Sequence, residues 1–234
     1  MSNLLLNYLN KRMTETEVRR KSETSVAGPL ITISREVGTN GVKLANLIAL
    51  RLNTRNPEKQ WRVISKEVFH HSAKELQMEP EKVRKNMYKS EKFAMDDILK
   101  AFYDKNYKSN QTISKTMSRV ILQIATDGYC IIVGRAGHII AQEIKHALHL
   151  RLVAPIEYRI DTIMHNNHLD HDGALKFINK VDKERMAFRK ALFKEDPSHE
   201  LFDAILNRAA YTDDELLDLI EFLSIQRNLI DLKK

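Results

Sequence analysis

The sequence predicts an α/β fold, a parallel sheet with helices on both faces. Short, continuous apolar runs rich in β-branched residues recur along the chain and alternate with stretches of helical periodicity. Glycine is scarce, seven in 234 residues, and four of the seven (Gly38, Gly41, Gly134 and Gly137) fall soon after two of those runs, where backbone must turn tightly or approach something closely. Apolar residues make up 43% and charged residues 29%, the balance of an ordinary globular chain.

Residues 1–28 are polar and charged, lack a sustained apolar stripe and end at Gly28-Pro29; they read as a polar, mobile or loosely docked extension with one short helix from Asn3 to Arg12. The folded domain, 29–234, opens with Leu30-Ile31-Thr32-Ile33-Ser34, suited to a buried strand. Leu44, Leu47, Ile48 and Leu52 follow at helical spacing, so the order is strand, glycine-bearing turn, helix. Trp61 to Ile64 makes a short second strand. Helices are expected over Glu67–Gln77 and from Glu79 to Asp104, with Pro80 in the first turn of the latter. Ile113, Met117, Val120, Ile121 and Ile124 form a helical stripe. Tyr129-Cys130-Ile131-Ile132-Val133 is a third strand, ended by Gly134-Arg135, and the next helix carries Ile139, Ile140 and Ile144. Leu148, Leu150 and Leu152 alternate as a strand does until Pro155 opens a helix. The stretch from Asp170 to Glu195 is charged and helical in pattern, and Phe202 to Leu206 is the last strand. Thr212 and Glu215 form a capping box ahead of Leu216, Leu219, Ile220 and Leu223.

Cys130, the one cysteine, rules out an internal disulfide framework and fits a reducing compartment. No apolar run approaches the ~20 residues that span a bilayer. The Leu4-Leu5-Leu6 cluster is too short for a signal-peptide core, so a cytoplasmic protein without membrane attachment is expected. The net charge is +7, from 38 Lys and Arg against 31 Asp and Glu. That excess fits a binder of phosphates, small or polymeric, but acids and bases alternate along Glu79–Lys92 as on solvated helix faces.

Right-handed crossovers put every strand-to-helix turn on one rim of a parallel sheet, where ligands of such folds bind. The turn after the first strand reads Ser34-Arg35-Glu36-Val37-Gly38-Thr39-Asn40-Gly41-Val42-Lys43. A glycine-bearing turn that feeds a helix amino end offers free N–H groups and a positive dipole to an anion. The full GxxxxGK[ST] pattern is absent.

The run from Ile31 to Gly38, followed by Gly41, resembles the opening of the cytidylate kinase-like family, whose usual form is close to ITISREYGSGGREI. Four further segments match in order: Ile131–Arg135 the family's IVGR strand end, Ala154–Ile160 its APLEYRI helix start, Val181–Arg185 its IDKER segment, and Phe202–Asn207 its last strand. The resemblance spans about 29–223. It implies a P-loop NTPase fold, three-layer α/β/α with a five-stranded parallel sheet and a helical lid over roughly 165–197. It also implies transfer of the γ-phosphoryl of ATP, with Mg²⁺, to a nucleoside monophosphate of the CMP or dCMP kind. On that resemblance Ser34, Arg35, Gly38, Thr39, Asn40, Gly41, Val42 and Lys43 form the ATP-phosphate loop; Arg135, Arg159 and Asp182 hold the acceptor nucleotide; Arg185 and Arg189 are the catalytic lid arginines. Arginine suits these places because its planar fork meets two phosphate oxygens at once.

The chain departs from the family pattern where Asn40 replaces a glycine, Val42 an arginine, and Asn207-Arg208-Ala209 the usual Asn-Thr-Ser. Asparagine tolerates the left-handed conformation of a tight turn; valine does not replace a cation. Two other readings stay open: a nucleotide-binding protein with little or no turnover, from these departures, and a nucleic-acid-binding α/β protein, from the net charge and the basic extension. His165, His168 and His171 with Asp170 and Asp172 are weighed as a metal cluster, and the polar helix end is the expected explanation. His70-His71 receives no role, and the oligomeric state is left open.

Overall fold

The computed structural model describes residues 27–65, 121–122, 124–192 and 199–231. Ser65 aside, these belong to one compact unit, Ala27–Ile64 with Ser118–Lys234. The expectations for residues 1–26, for the helices at Glu67–Gln77 and Glu79–Asp104, and for His70-His71 lie outside the described residues.

Five strands appear where the apolar runs stand: β1 (Leu30–Arg35), β2 (Arg62–Ile64), β3 (Cys130–Val133), β4 (Ala147–Val153) and β5 (Ala204–Asn207). Between them lie α1 (Gly41–Arg55), the single turn α2 (Gly137–Ile140), α3 (Ile156–Asn167) and α4 (His171–Leu192), and after β5 comes α5 (Asp213–Gln226). The sheet runs β2-β3-β1-β4-β5 with every pairing parallel, so the structure is the α/β fold read from the sequence. β1 is central, its Ile31 opposite Ile131 on one side and Leu148 on the other.

Alternation along the strands sorts two faces. Ile31, Ile33, Ile131, Val133, Leu148, Leu150 and Leu152 pack with Leu44, Ile48 and Leu52 of α1 and Leu216, Leu217 and Ile220 of α5 to form the main core. Each such side chain contributes about 1.5–3 kcal/mol when fully buried. Thr32 and His149, register partners on the opposite face, are joined by a 2.7 Å hydrogen bond between Thr32 Oγ1 and His149 Nδ1. A second apolar cluster joins Val37, from the turn after β1, to Ile160 and Ile163 of α3 and Ala174 and Ile178 of α4.

Several boundaries differ from the sequence reading, β1, β2 and β3 by one residue each. The last strand begins at Ala204, not Phe202, because Phe202 leaves the ladder to lie against the His138 ring at 4.6 Å. The helix expected to carry Ile144 stops at Ile140; the backbone turns again at Ala141, whose carbonyl accepts from Ile144 N. The charged helix begins at His171, where the Asp170 carboxylate accepts from Gly173 N at 2.8 Å, and it is described as far as Leu192. His168 occupies the left-handed end of α3 (φ 53°), so this His- and Asp-rich segment is a junction between two helices. Among the described residues, no helix is long and apolar enough to cross a membrane.

Candidate active site

The turns that follow β1 and β3 lie side by side, because those strands are bonded neighbours and run the same way. In the first turn Gly38 has φ +88° and Asn40 φ +52°, two left-handed positions that reverse the chain into α1. Gly38 has no room for a side chain: an ideal Cβ there would lie 2.7 Å from the Arg159 carbonyl oxygen. Thr39 is fully buried, and its hydroxyl donates to the Glu36 carbonyl at 3.0 Å, closing the turn on itself. Asn40 keeps the left-handed conformation available to glycine, and its Oδ1 accepts from Asn166 Nδ2 of α3 at 3.0 Å.

This turn delivers the amino end of α1 to the centre of the sheet rim. Among the described residues, no side chain caps that end and no acidic residue stands in its first turn. α5 starts from the same rim and contrasts with it. Its amino end carries Asp213, Asp214 and Glu215 and a complete capping box, Thr212 N donating to Glu215 Oε2 at 2.8 Å and Glu215 N to Thr212 Oγ1 at 3.3 Å. One helix end is filled with its own carboxylates. The other, among the described residues, has neither a side-chain cap nor a first-turn carboxylate, the arrangement that binds phosphate.

Arg35 and Arg185 meet at the turn that leads into the open end. Arg35, the last residue of β1, passes its side chain under Gly41, where an ideal Cβ would lie 3.1 Å from Arg35 Cγ. Its guanidinium then rests on Gly134, where a Cβ would overlap Nη1 and lie 2.7 Å from Cζ. The glycine after β3 is thus the floor under an arginine head, and the backbone there, with φ +76° at Gly134, +54° at Arg135 and +53° at Ala136, makes a left-handed bend. Arg135, half-buried, sits in that bend. From α4, Arg185 Nη1 donates to the Arg35 carbonyl at 3.0 Å, and half-buried Arg189 lies one turn further along the same helix. Ser34 lies opposite Arg151 in register, on the sheet face of Thr32 and His149.

Arg159 is 9% exposed and turns back onto the loop. Its Nε donates to the Val37 carbonyl at 2.7 Å, its Nη2 bonds Asp182 Oδ2, and its Nη1 stands 3.7 Å from Glu36 Oε2. The same Glu36 oxygen accepts from Ala154 N at 3.1 Å. Asp182 Oδ1 lies 4.0 Å from Arg185 Nη1. Sequence reasoning assigned Arg159 to the acceptor nucleotide and gave Glu36 no role. The signal for Glu36 was its place inside the Ser34–Gly38 motif.

The departure at Val42 also has a structural account. Val42 packs against the main apolar core. Lys43 Nζ lies 2.9 Å from Asp213 Oδ2, and Asp213 also bonds Arg208, so the neighbouring cation is paired with the start of α5. These contacts hold the Asp213 carboxyl below the usual carboxylate range, the hydrogen bond from Lys43 first among them. Arg208 itself is buried and donates to the Tyr211 carbonyl at 2.9 Å, bracing the turn after β5.

The crystal structure of an uncharacterized protein from Eubacterium ventriosum superposes on 84% of this chain and 98% of its own, with a TM-score of 0.59 at 18% identity, and so shares the fold. Shikimate kinase from Bacteroides thetaiotaomicron and a gluconokinase from Sinorhizobium meliloti align over 82% and 87% of this chain and 98% and 99% of theirs, at 12% and 11% identity and a TM-score of 0.43 each. A uronate isomerase from Corynebacterium glutamicum is 25% identical over 116 residues, which make up 49% of this chain; the chain spans 22% of that protein's length. The sequence pattern of the cytidylate kinase-like family matches residues 30–210, from the first residue of β1 through the turn after β5. With its glycine turn set between a central parallel strand and an uncapped helix, this chain belongs to the cytidylate kinase-like family.

Proposed function

We propose that the protein transfers the γ-phosphoryl group of ATP to a nucleoside monophosphate of the CMP or dCMP kind. The observation that carries the reading is the open amino end of α1, presented at the middle of the rim beside Arg35 and Arg185 in a chain of this family. In this reaction the bond from the γ-phosphorus to the oxygen it shares with ADP breaks, and a bond to an acceptor phosphate oxygen forms. Little covalent chemistry is asked of the protein; it must align the two oxygens and neutralise charge on the group in flight.

The residues divide naturally between those tasks. The N–H groups of Gly41, Val42 and Lys43 hold the donor phosphates, aided by the dipole of α1. Arg35, whose guanidinium lies between the turns after β1 and β3, stands where a cation meets both donor and acceptor phosphates. Arg135, next to it, serves the acceptor. Arg185 and Arg189, four residues apart on α4, close over the transferred group.

A triphosphate fits this donor set. For Mg²⁺, the Thr39 hydroxyl is engaged with the Glu36 carbonyl, and among the described residues no group of three His, Cys, Asp or Glu side chains is arranged to hold a metal. The ion would therefore arrive on the nucleotide, held by phosphate oxygens and water, and would supply charge neutralisation there.

Incubation with MgATP and each of CMP, dCMP, UMP and AMP tests the reading, and conversion of at least one to its diphosphate is expected. A second reading, nucleotide binding with little turnover, draws on Val42 packing in the core and on the Lys43–Asp213 pair, which leave the helix end short of a cation. Tight MgATP binding with no diphosphate from any acceptor would favour it.

A further inference from the structure

We propose that Arg159 and Asp182 are positioning residues that lock the phosphate loop to helix α4, in place of the acceptor-nucleotide contacts expected of them; the consequence for catalysis rests on the phosphoryl-transfer reading, while the lock itself does not. Four successive residues, the last of β1 and the first three of the loop, are held by the arginines of α3 and α4. The Arg35 carbonyl accepts from Arg185, the Glu36 carboxylate faces Arg159, the Val37 carbonyl accepts from Arg159 Nε, and the Gly38 backbone lies against the Arg159 main chain. Asp182 joins the two arginines, bonding Arg159 through Oδ2 and facing Arg185 with Oδ1.

The geometry says what this does. In a trans peptide the C=O and the following N–H point opposite ways. Drawing the Val37 carbonyl toward Arg159 therefore turns the Gly38 N–H to the other side of the loop, away from α3. Arg159 is 9% exposed, and Asp182 is the carboxylate bonded directly to its guanidinium. An arginine this buried needs a paired acceptor, and removing one partner of such a pair costs far more than the pair itself contributes. The loop and α4 are also joined by packing, since Val37 shares an apolar cluster with Ile160, Ile163, Ala174 and Ile178. The carbonyl-to-arginine bonds give that packing a direction. Any displacement of α4 that carries Arg185 and Arg189 with it must break the Arg159–Asp182 bond or drag the loop along.

The experiment uses the full chain as wild type, Asp182→Asn, Arg159→Lys and the double variant, with two readouts. Without nucleotide, hydrogen exchange of the amides at 36–44 is expected to quicken about tenfold in each single variant. The double variant should go little further, because the two residues act as one unit, while β4 and α5 keep wild-type exchange. With MgATP, the dissociation constant is expected to rise about tenfold, whereas the ratio of activity on CMP to that on dCMP stays at the wild-type value. Unchanged exchange at 36–44 in Asp182→Asn overturns the proposal. So does a variant that binds MgATP normally and loses its discrimination between CMP and dCMP, the mark of a sugar contact. Should the wild type bind no MgATP while exchange at 36–44 still responds, the kinase reading falls and the lock stands.

Discussion

Replacing Gly134 by alanine separates a backbone cost from a functional one. At φ +76° an L-residue adds about 1–2 kcal/mol over glycine. The new Cβ also falls on the Arg35 head, overlapping Nη1 and lying 2.7 Å from Cζ. That obstacle is the far end of a flexible side chain, so Arg35 swings away for about 0.5–1.5 kcal/mol of rotamer strain. The sum is about 1.5–3.5 kcal/mol, which for a chain of this size lowers the melting temperature by roughly 3–14 °C. Gly38→Ala makes the contrast. Its φ is +88°, and the obstacles, the Arg159 carbonyl oxygen at 2.7 Å and Cα at 2.8 Å, are main chain that no rotamer can clear. A further ~1–3 kcal/mol of overpacking is expected there. Thermal melts and ADP release with MgATP and CMP are the assays. Gly134→Ala should fold and yet lose turnover as severely as Arg35→Ala, with the Gly134→Ala/Arg35→Ala double variant no less active than either. A Gly134→Ala protein with the expected melting shift and undiminished turnover would refute the assignment of Arg35 to the phosphates.

Three other expectations follow from the same geometry. The variant Asn40→Gly/Val42→Arg restores the family pattern at the loop and should raise turnover per enzyme; equal, ready turnover in both proteins would show that the natural loop lacks nothing. Burial holds the His149 ring below its ordinary pKa, only partly offset by Asp203. The unfolded chain therefore takes up that proton first as pH falls, and stability is intact above about pH 6.5 and declines from there toward the folded-state value. Urea melts at pH 7.5 and 5.5 should show the decline, and His149→Gln should flatten it. The Cys130 thiol is pushed up to about 12 by burial, so it should resist a thiol reagent in the native protein and react at once in denaturant.

What the sequence discloses is what neighbours in sequence determine. The strand at Ile131–Val133 and the box at Thr212 and Glu215 depend on residues a few positions apart, and both stand where their patterns put them. The glycine turn ahead of α1 was legible for the same reason, from Gly38 and Gly41 between a strand and a helix. The partners of Arg159 were not. Val37 lies 122 positions away and Asp182 lies 23, and no periodicity in α3 distinguishes an arginine turned to a loop carbonyl from one turned to water. Lys43 is similar: its pairing with Asp213 joins segments that only the placement of α5 beside α1 brings together. α2 stops short of Ile144 because the backbone leaves the helix at Ala141, whose carbonyl takes Ile144 N into a separate turn.

The sheet is bonded unevenly, and this bears on how the molecule tires. β1 shares its ladder with β3 on one side and β4 on the other, whereas among the described residues β2, three residues long, and β5, four, are each held along one side. Warming should loosen the flanks first and the middle last. The cradle at the end of β1 is rooted in the most durable strand, so any early fading of activity on gentle heating would trace to the arginine-bearing helices above it, with the nucleotide's seat still intact beneath them.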